Sequence, residues 1–306
     1  MNNCKILKKQ TIKKNFKKKY YFQTSARSCL SEILKQRSLN SKKILIPSYI
    51  GYSINEGSGI FDPIRNTGIE YSFYRFDHKL EIDTNYLIRK LDNTEPGIIL
   101  FVHYFGFRDK NFMQLKEYAK AKNFIIIEDC AHAFFTFYTN PCYDSDYAIF
   151  SLHKMFPFEN GGFMYSKMNN FNLSTDVHYE IFSYDIHGIS EKRKQNFLYL
   201  MTKLKPLEKY NLTILRNKLY DNIPQTFPIL LKSRKIRDNL YFELNKRGFG
   251  VVSLYHQLIN EISNEYDVEQ TISRHILNLP IHQDVSFEEL DCMIDALTSL
   301  LKKFKK

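Results

Sequence analysis

Several things are scarce in this 306-residue chain. It holds 5 cysteines (Cys4, Cys29, Cys130, Cys142 and Cys292), and none is spaced as CxxC or in another metal-binding pattern. An odd, scattered set of this kind argues for reduced thiols in a cytoplasmic setting and against a disulfide framework or a zinc site. No uninterrupted apolar run approaches the length that spans a bilayer, so no transmembrane segment is expected. The N-terminus is basic but lacks an apolar core, which leaves no reading as a secretion signal. No internal repeat is evident, and no low-complexity tract beyond the basic start.

What is present is a hydrophobic fraction of 43% and a formal net charge of +11. The length accommodates one large domain and a smaller one, with apolar residues enough for a sizeable core. An excess of positive charge suits an anionic partner, whether nucleic acid, a membrane surface or a sugar nucleotide. The lysines, however, are spread along the chain among Asp and Glu, as on a solvated surface. The one dense cluster lies in Met1–Lys19, read as a surface arm; no glycine-rich or aromatic-interleaved module follows it, so no nucleic-acid partner is expected.

The chain is organised around Ile125–Ser166. Three apolar residues lead to Glu128-Asp129, a second apolar run (Tyr147–Phe150) leads to Ser151 and Lys154, and Gly161-Gly162 precedes a third, Phe163–Tyr165. A carboxylate at the C-terminal edge of one strand, with a hydroxyl and an amine just beyond the next, is how an α/β sheet presents chemistry. These residue types suit pyridoxal 5'-phosphate (PLP). That cofactor needs a lysine amine able to be neutral for a Schiff base, an anion to keep the pyridine nitrogen protonated, and hydroxyls or helix-start N–H groups for the phosphate. Lys154, Asp129 and Ser151 are the candidates, with no metal. An Asp after a buried strand and a solvated lysine are also ordinary features of any α/β protein, so spacing alone leaves both readings open.

The string resembles the DegT/StrS-type aminotransferases, PLP enzymes that mostly act on nucleotide-linked keto sugars. Glu128-Asp129-Cys130-Ala131-His132-Ala133 is similar to their E-D-x-A-[QH]-A. Phe150-Ser151, Lys154 and Gly161-Gly162 follow as in the family, although the interval from Ser151 to Lys154 is shorter than in its better-known members. The resemblance implies that Lys154 forms the Schiff base, that Asp129 holds the pyridinium, and that His132 contacts the cofactor's 3-oxygen region or the substrate. It places Ser25, Ala26 and Arg27 on the family's phosphate-binding S-G-R segment, with Ala26 in place of glycine. His103 falls on V-H-x-x-G, beside the cofactor in the family, and is equally readable as a hydrogen-bonded structural histidine. Pro47-Ser48-Tyr49 matches P-S-Y-T; where better-known members then carry an aromatic this chain has Gly51, and Tyr52 is the candidate for the ring stacked on the pyridine. Asn196 is the candidate for an asparagine that reaches the phosphate of a neighbouring subunit.

The resemblance covers about Tyr21–Phe304 and implies the PLP-transferase fold-type I: an α/β structure with a mainly parallel sheet, helices on both faces and a smaller C-terminal α/β domain. The expected organisation is a basic arm over 1–19, a large cofactor-binding domain over 20–187 and a small domain over 188–306. Strands are expected at Lys43–Pro47, Ile69–Tyr74, Gly97–Val102, Phe124–Glu128, Gln225–Leu231, Val251–His256 and Ile276–Leu279. Helices are expected over Thr24–Lys35, Thr84–Leu91, Asn111–Lys122, Ser190–Leu219 (one helix, or two broken at Pro206) and Ser233–Arg247, with a further one after Pro47-Ser48-Tyr49. Lys167–His187 reads as an irregular lid or contact loop, and Ser286 with Glu289 as a capping box opening the final helix. The implied function is a homodimeric aminotransferase with shared active sites. It would move an amino group from glutamate to a keto group, most simply on a nucleotide-linked sugar, in polysaccharide or secondary-metabolite biosynthesis. Two alternatives stay open: a PLP-dependent sugar dehydratase or lyase, whose relatives replace the lysine by histidine (His153 adjoins Lys154 here), and a catalytically inactive binding protein on the same scaffold.

Overall fold

The structure is a computed structural model, and it describes residues 19–39, 41–139, 145–167, 171 and 180–304. The basic arm before residue 19, Cys4, Cys142 and most of the stretch expected as an irregular lid lie outside the described residues.

The large sheet has seven strands: β1 (Lys19–Gln23), β2 (Ile44–Pro47), β3 (Tyr71–Tyr74), β4 (Ile98–Val102), β5 (Ile125–Asp129), β6 (Tyr147–Ser151) and β7 (Gly162–Ser166), in the order β1-β7-β6-β5-β4-β2-β3. The pairings from β6 across to β3 are parallel, and β7 runs antiparallel to both β6 and β1. Parallel strands covered on both faces read as continuous apolar runs, and β4 (IILFV) and β5 (IIIED) are such runs. Their alternate residues serve two separate cores. Ile99, Phe101 and Ile126 pack with one cluster, which includes Leu87 and Leu91 of helix α3 (Thr84–Asp92) and Leu115 of α4 (Phe112–Ala121). Ile98, Leu100 and Ile127 pack with the other, which includes Leu30 and Ile33 of α1 (Ala26–Leu34) and Ile64 of α2 (Phe61–Thr67). Helices therefore cover both faces, as the sequence implied. Helix α5 (Phe134–Thr139) follows β5 after a short turn.

Beyond α6 (Ile186–Leu204) lies an antiparallel three-stranded sheet of β8 (Leu212–Ile214), β9 (Thr226–Leu231) and β10 (Ile276–Pro280), with β9 in the middle. Helices α7 (Arg234–Lys246), α8 (Asp267–His275) and α9 (Phe287–Lys303) accompany it. The capping box at Ser286 and Glu289 is formed in both directions.

Three local expectations differ from what forms. The helix expected over Ser190–Leu219 stops at Leu204; Pro206 enters a 3-10 turn, Asn211 takes a left-handed conformation (φ 61), and Leu212–Ile214 pairs with β9. Val251–His256 is not a strand and makes one isolated bridge, Val252 to Asn278. No helix begins directly after Pro47-Ser48-Tyr49; residues 50–59 run as turns and short bridges, and the next helix starts at Phe61. Among the described residues no helix is long and apolar enough to cross a membrane.

Candidate active site

Parallel order and strand register bring the candidate residues to one edge. Asp129 ends β5 and pairs with Val102 and Ile149; Ser151 ends β6 and pairs with Gly162, the first residue of the antiparallel β7; Gly162 also pairs with Gln23, the last residue of β1. The chain then turns at Thr24 and Ser25 into α1. Gly161 N–H donates to Thr24 C=O at 2.9 Å. A Cβ on Gly162 would lie 2.6 Å from Ser25 O and closer still to Ser25 C and Ala26 N, so only glycine lets the start of α1 rest on the sheet edge. Ser25 is the N-cap: its Oγ accepts from Ser28 N–H at 3.1 Å and is 3.0 Å from Ser28 Oγ. Arg27 donates to Glu56 C=O and lies 3.9 Å from Asp62.

Asp129, His132 and Lys154 come together on this edge. Asp129 is buried and accepts from Ala131 N–H through Oδ1 at 2.8 Å, while its Oδ2 accepts no hydrogen bond from the described residues. Burial pushes its carboxyl up, against the opposing pull of the Ala131 N–H, Lys154 and His103. His132 is held far below the usual imidazole range, by burial first and then by the charges of Lys154 and His153, and is neutral. Phe105 N–H donates to its Nδ1 at 3.4 Å, which leaves the ring proton on Nε2. That nitrogen is 3.1 Å from Lys154 Nζ and 3.5 Å from the hydroxyl of Tyr255.

Lys154 is pulled below its ordinary range by the desolvating protein around it; Asp129 and Glu56 oppose this, and Arg27 adds to it. By surface area, however, the residue is exposed. The two observations agree only if the amine stands in a cleft, walled by protein and reached by water. Water that reaches the amine moderates the lowering, and a bound group that displaces this water deepens it.

The other candidates are placed differently. Ser151 is buried, with its hydroxyl 3.2 Å from His153 Nδ1. Through Gly162 it shares the edge with Ser25, Ala26 and Arg27. Tyr52 is 37% exposed, and no contact links it to Asp129, His132 or Lys154. Its neighbour Gly51 faces the ring of Tyr255 instead. Asn196 is fully buried in α6, where its amide donates to the carbonyls of Ile281, His282 and Val285 at 3.0–3.4 Å; the structure does not bring it to this edge. His103 proves to be structural: Nε2–H donates to Glu128 Oε2 at 2.8 Å, and the ring meets Phe112 edge-on. Tyr255 is what the sequence reading missed. The signal available was Gly51 in the place of an aromatic, which leaves room that another part of the chain fills.

The residues fit PLP. A free carboxylate oxygen, a lysine amine tending to neutrality and a helix start held tight to the sheet edge are the three elements that cofactor requires.

A mainly parallel sheet with this carboxylate and amine at its carboxyl edge is the architecture of the PLP-dependent aminotransferases. The model of the DegT/DnrJ/EryC1/StrS aminotransferase family matches residues 61–167, the stretch holding Asp129, His132, Ser151, Lys154 and the glycine pair. Among solved structures the chain is similar to PseC of Helicobacter pylori, an aminotransferase involved in pseudoaminic acid biosynthesis (TM-score 0.73, 16% identity, 93% of this chain and 87% of that one). It is also similar to DesV of S. venezuelae, solved in complex with a ketimine intermediate (TM-score 0.72, 16% identity, 92% and 84%). A DegT DnrJ EryC1 StrS aminotransferase of Brucella abortus gives a TM-score of 0.70 at 16% identity, over 93% and 85%. At such identities the likeness is one of fold. No curated protein matches the sequence. The family resemblance read from Glu128–Gly162 is thus met by the family model, and the fold implied by it is the fold found. Together they support a PLP-dependent aminotransferase.

Proposed function

We propose that the protein transfers an amino group from glutamate to a keto group of a nucleotide-linked sugar, working as a homodimer with shared active sites. The observation that carries this reading is the triad on one edge: a lysine amine biased toward neutrality, a neutral His132 at 3.1 Å from it, and the buried Asp129 with one oxygen free. When bound, PLP supplies an electron sink for the bond-breaking at the substrate's amino-bearing carbon.

The chain's own residues do the rest. Lys154 would hold the cofactor through Nζ and would move the proton to and from that carbon. His132 Nε2, 3.1 Å from the amine, fixes its direction. Asp129 would hold the cofactor's ring nitrogen through Oδ2 and keep a proton on it. The hydroxyls of Ser25 and Ser28 and the first N–H groups of α1 would hold the phosphate, with Arg27 adding charge. A dehydratase reading based on His153 has less support, because Lys154 and not His153 is paired with His132.

The test is cofactor loading. Purified protein offered PLP is expected to develop a visible absorption band, and borohydride to fix the pyridoxyl group on the peptide containing Lys154. Lys154→Ala is expected to show neither. Glutamate should then release one equivalent of 2-oxoglutarate per loaded site, and a nucleotide-linked keto sugar should be aminated. Wild-type protein that takes up no PLP refutes the reading.

A further inference from the structure

The C-terminal part of the chain sends one side chain into the cleft. Residues 257–259 lie antiparallel to residues 50–52: Tyr52 N–H donates to Gln257 C=O at 2.9 Å, Ile259 N–H donates to Ile50 C=O at 3.0 Å, and Gly51 bridges Leu258. Just before this zipper, Tyr255 has φ 61. A bulky residue in the left-handed region is strained and persists only where its surroundings impose it. Here Ser273 donates its hydroxyl to Tyr255 C=O at 2.6 Å, and Leu254 N–H is held by Asn278 Oδ1 at 3.1 Å. The effect of the twist is to aim the phenol ring back over Gly51. A Cβ on residue 51 would come within 3.0 Å of Tyr255 Cε1 and closer still to Cδ1. The ring is steadied by Tyr49 and Tyr104, each at 5.5 Å, and its hydroxyl reaches His132 Nε2. The ring is only partly buried.

We propose that Tyr255 is the aromatic wall against which the pyridoxal ring packs, and that residue 51 is glycine because a side chain there would displace it. The ring that other arrangements take from the loop after β2 is delivered in this chain from the segment before β10. Tyr255 is therefore a positioning residue for the cofactor, and loading the cofactor ties the C-terminal part of the chain to the large sheet. This rests on the PLP reading of the same site.

The experiment titrates PLP into cofactor-free protein and follows the dissociation constant and the circular dichroism of the bound chromophore. An aromatic contact of this kind is worth on the order of a tenfold change in affinity. Tyr255→Leu is expected to weaken PLP by about that factor and to diminish the induced signal, while Tyr255→Phe, which keeps the ring, stays within about twofold of wild type. Gly51→Ala is expected to weaken PLP when Tyr255 is present and to add little in the Tyr255→Leu background. Melting of the cofactor-free forms shows whether each variant is folded, and Gly51→Ala carries the test if Tyr255→Leu is not. Wild-type affinity and an unchanged signal in Tyr255→Leu overturn the proposal. So does a Tyr255→Phe as weak as Tyr255→Leu, which would assign the effect to the hydroxyl. Wild-type protein that binds no PLP is a separate result and removes the underlying reading as well.

Discussion

At the residue scale the buried charges outside the cleft set the clearest pH dependence. Asp109 is pushed up to about 7, by burial first and then by the neighbouring Glu81 carboxylate, even though Ile82 and Asn111 N–H donate to it at 2.6 and 2.8 Å. Glu81 is held below its usual range: burial raises it, but the Arg216 guanidinium, a hydrogen bond with Asp109 and the Lys110 N–H together outweigh that. A carboxyl whose folded pKa lies above its unfolded one stabilises the fold when protonated. Its contribution is full below about pH 4 and is lost as pH rises through about 7. His103 and His132 work in the opposite direction, because both are lowered in the fold; the unfolded chain keeps their protons up to about pH 6.5, so they favour folding as pH rises. The net profile mixes the two signs, and Asp109→Asn separates them. Taken from about pH 4.5 to about pH 8, the wild type is expected to lose more stability, or gain less, than Asp109→Asn. Superimposable urea-midpoint profiles for the two proteins would dismiss this account of Asp109.

At the element scale the decisive contact is α1 against the start of β7. The backbone of Ser25 and Ala26 reaches the sheet edge because Gly162 has no side chain there. Gly162→Ala forces a methyl into backbone atoms that cannot rotate away, an overpacking of about 1–3 kcal/mol. The variant is expected to unfold at lower urea and to bind PLP more weakly, since the helix start shifts; unchanged affinity for PLP would separate this contact from the phosphate site. Legibility follows the same physics. The central strands were readable because each is a continuous apolar run, and Asp129, His132, Ser151 and Lys154 because one contiguous string carries them to one edge. The Ser286–Glu289 box was readable because caps are local. Strand β8 was not: three residues become a strand only by pairing with β9, across an irregular loop. Helix α8 was not either: its nine residues carry only two large apolar side chains, Val268 and Ile272, and its buried side includes Glu269 and Ser273. Tyr255 was unreadable as a site residue because its place depends on a left-handed turn and on a zipper to residues 50–52.

At the scale of the whole molecule, the two sheets share one interior. Phe107, in the loop after β4, meets Phe197 of α6 at 5.6 Å, and Phe197 meets Phe227 of β9 at 4.7 Å; the same cluster runs on to Leu297 of α9. Polar links cross the junction too. The Ser48 hydroxyl and Phe76 N–H both donate to the buried Glu269 of α8, at 2.6 and 2.8 Å. Gln225 N–H donates to Phe105 C=O at 2.7 Å. Thr136 of α5 is the centre of this seam: its hydroxyl donates to Gly106 C=O at 2.6 Å and accepts from Ile223 N–H at 2.7 Å. With packing and hydrogen bonds both spanning the seam, neither part keeps its buried surface when the other opens, so the two are expected to unfold in one transition. Thr136→Val keeps the shape and deletes the hydroxyl, leaving a buried N–H and a buried C=O unpaired at a cost of about 1–3 kcal/mol. Under urea, the far-ultraviolet circular dichroism and the tyrosine fluorescence of Thr136→Val should shift together to a lower midpoint with the slope retained. Two separated transitions in the wild type would mean that the seam does not couple the sheets. A second step appearing only in Thr136→Val would mean that this one hydroxyl carries most of the coupling.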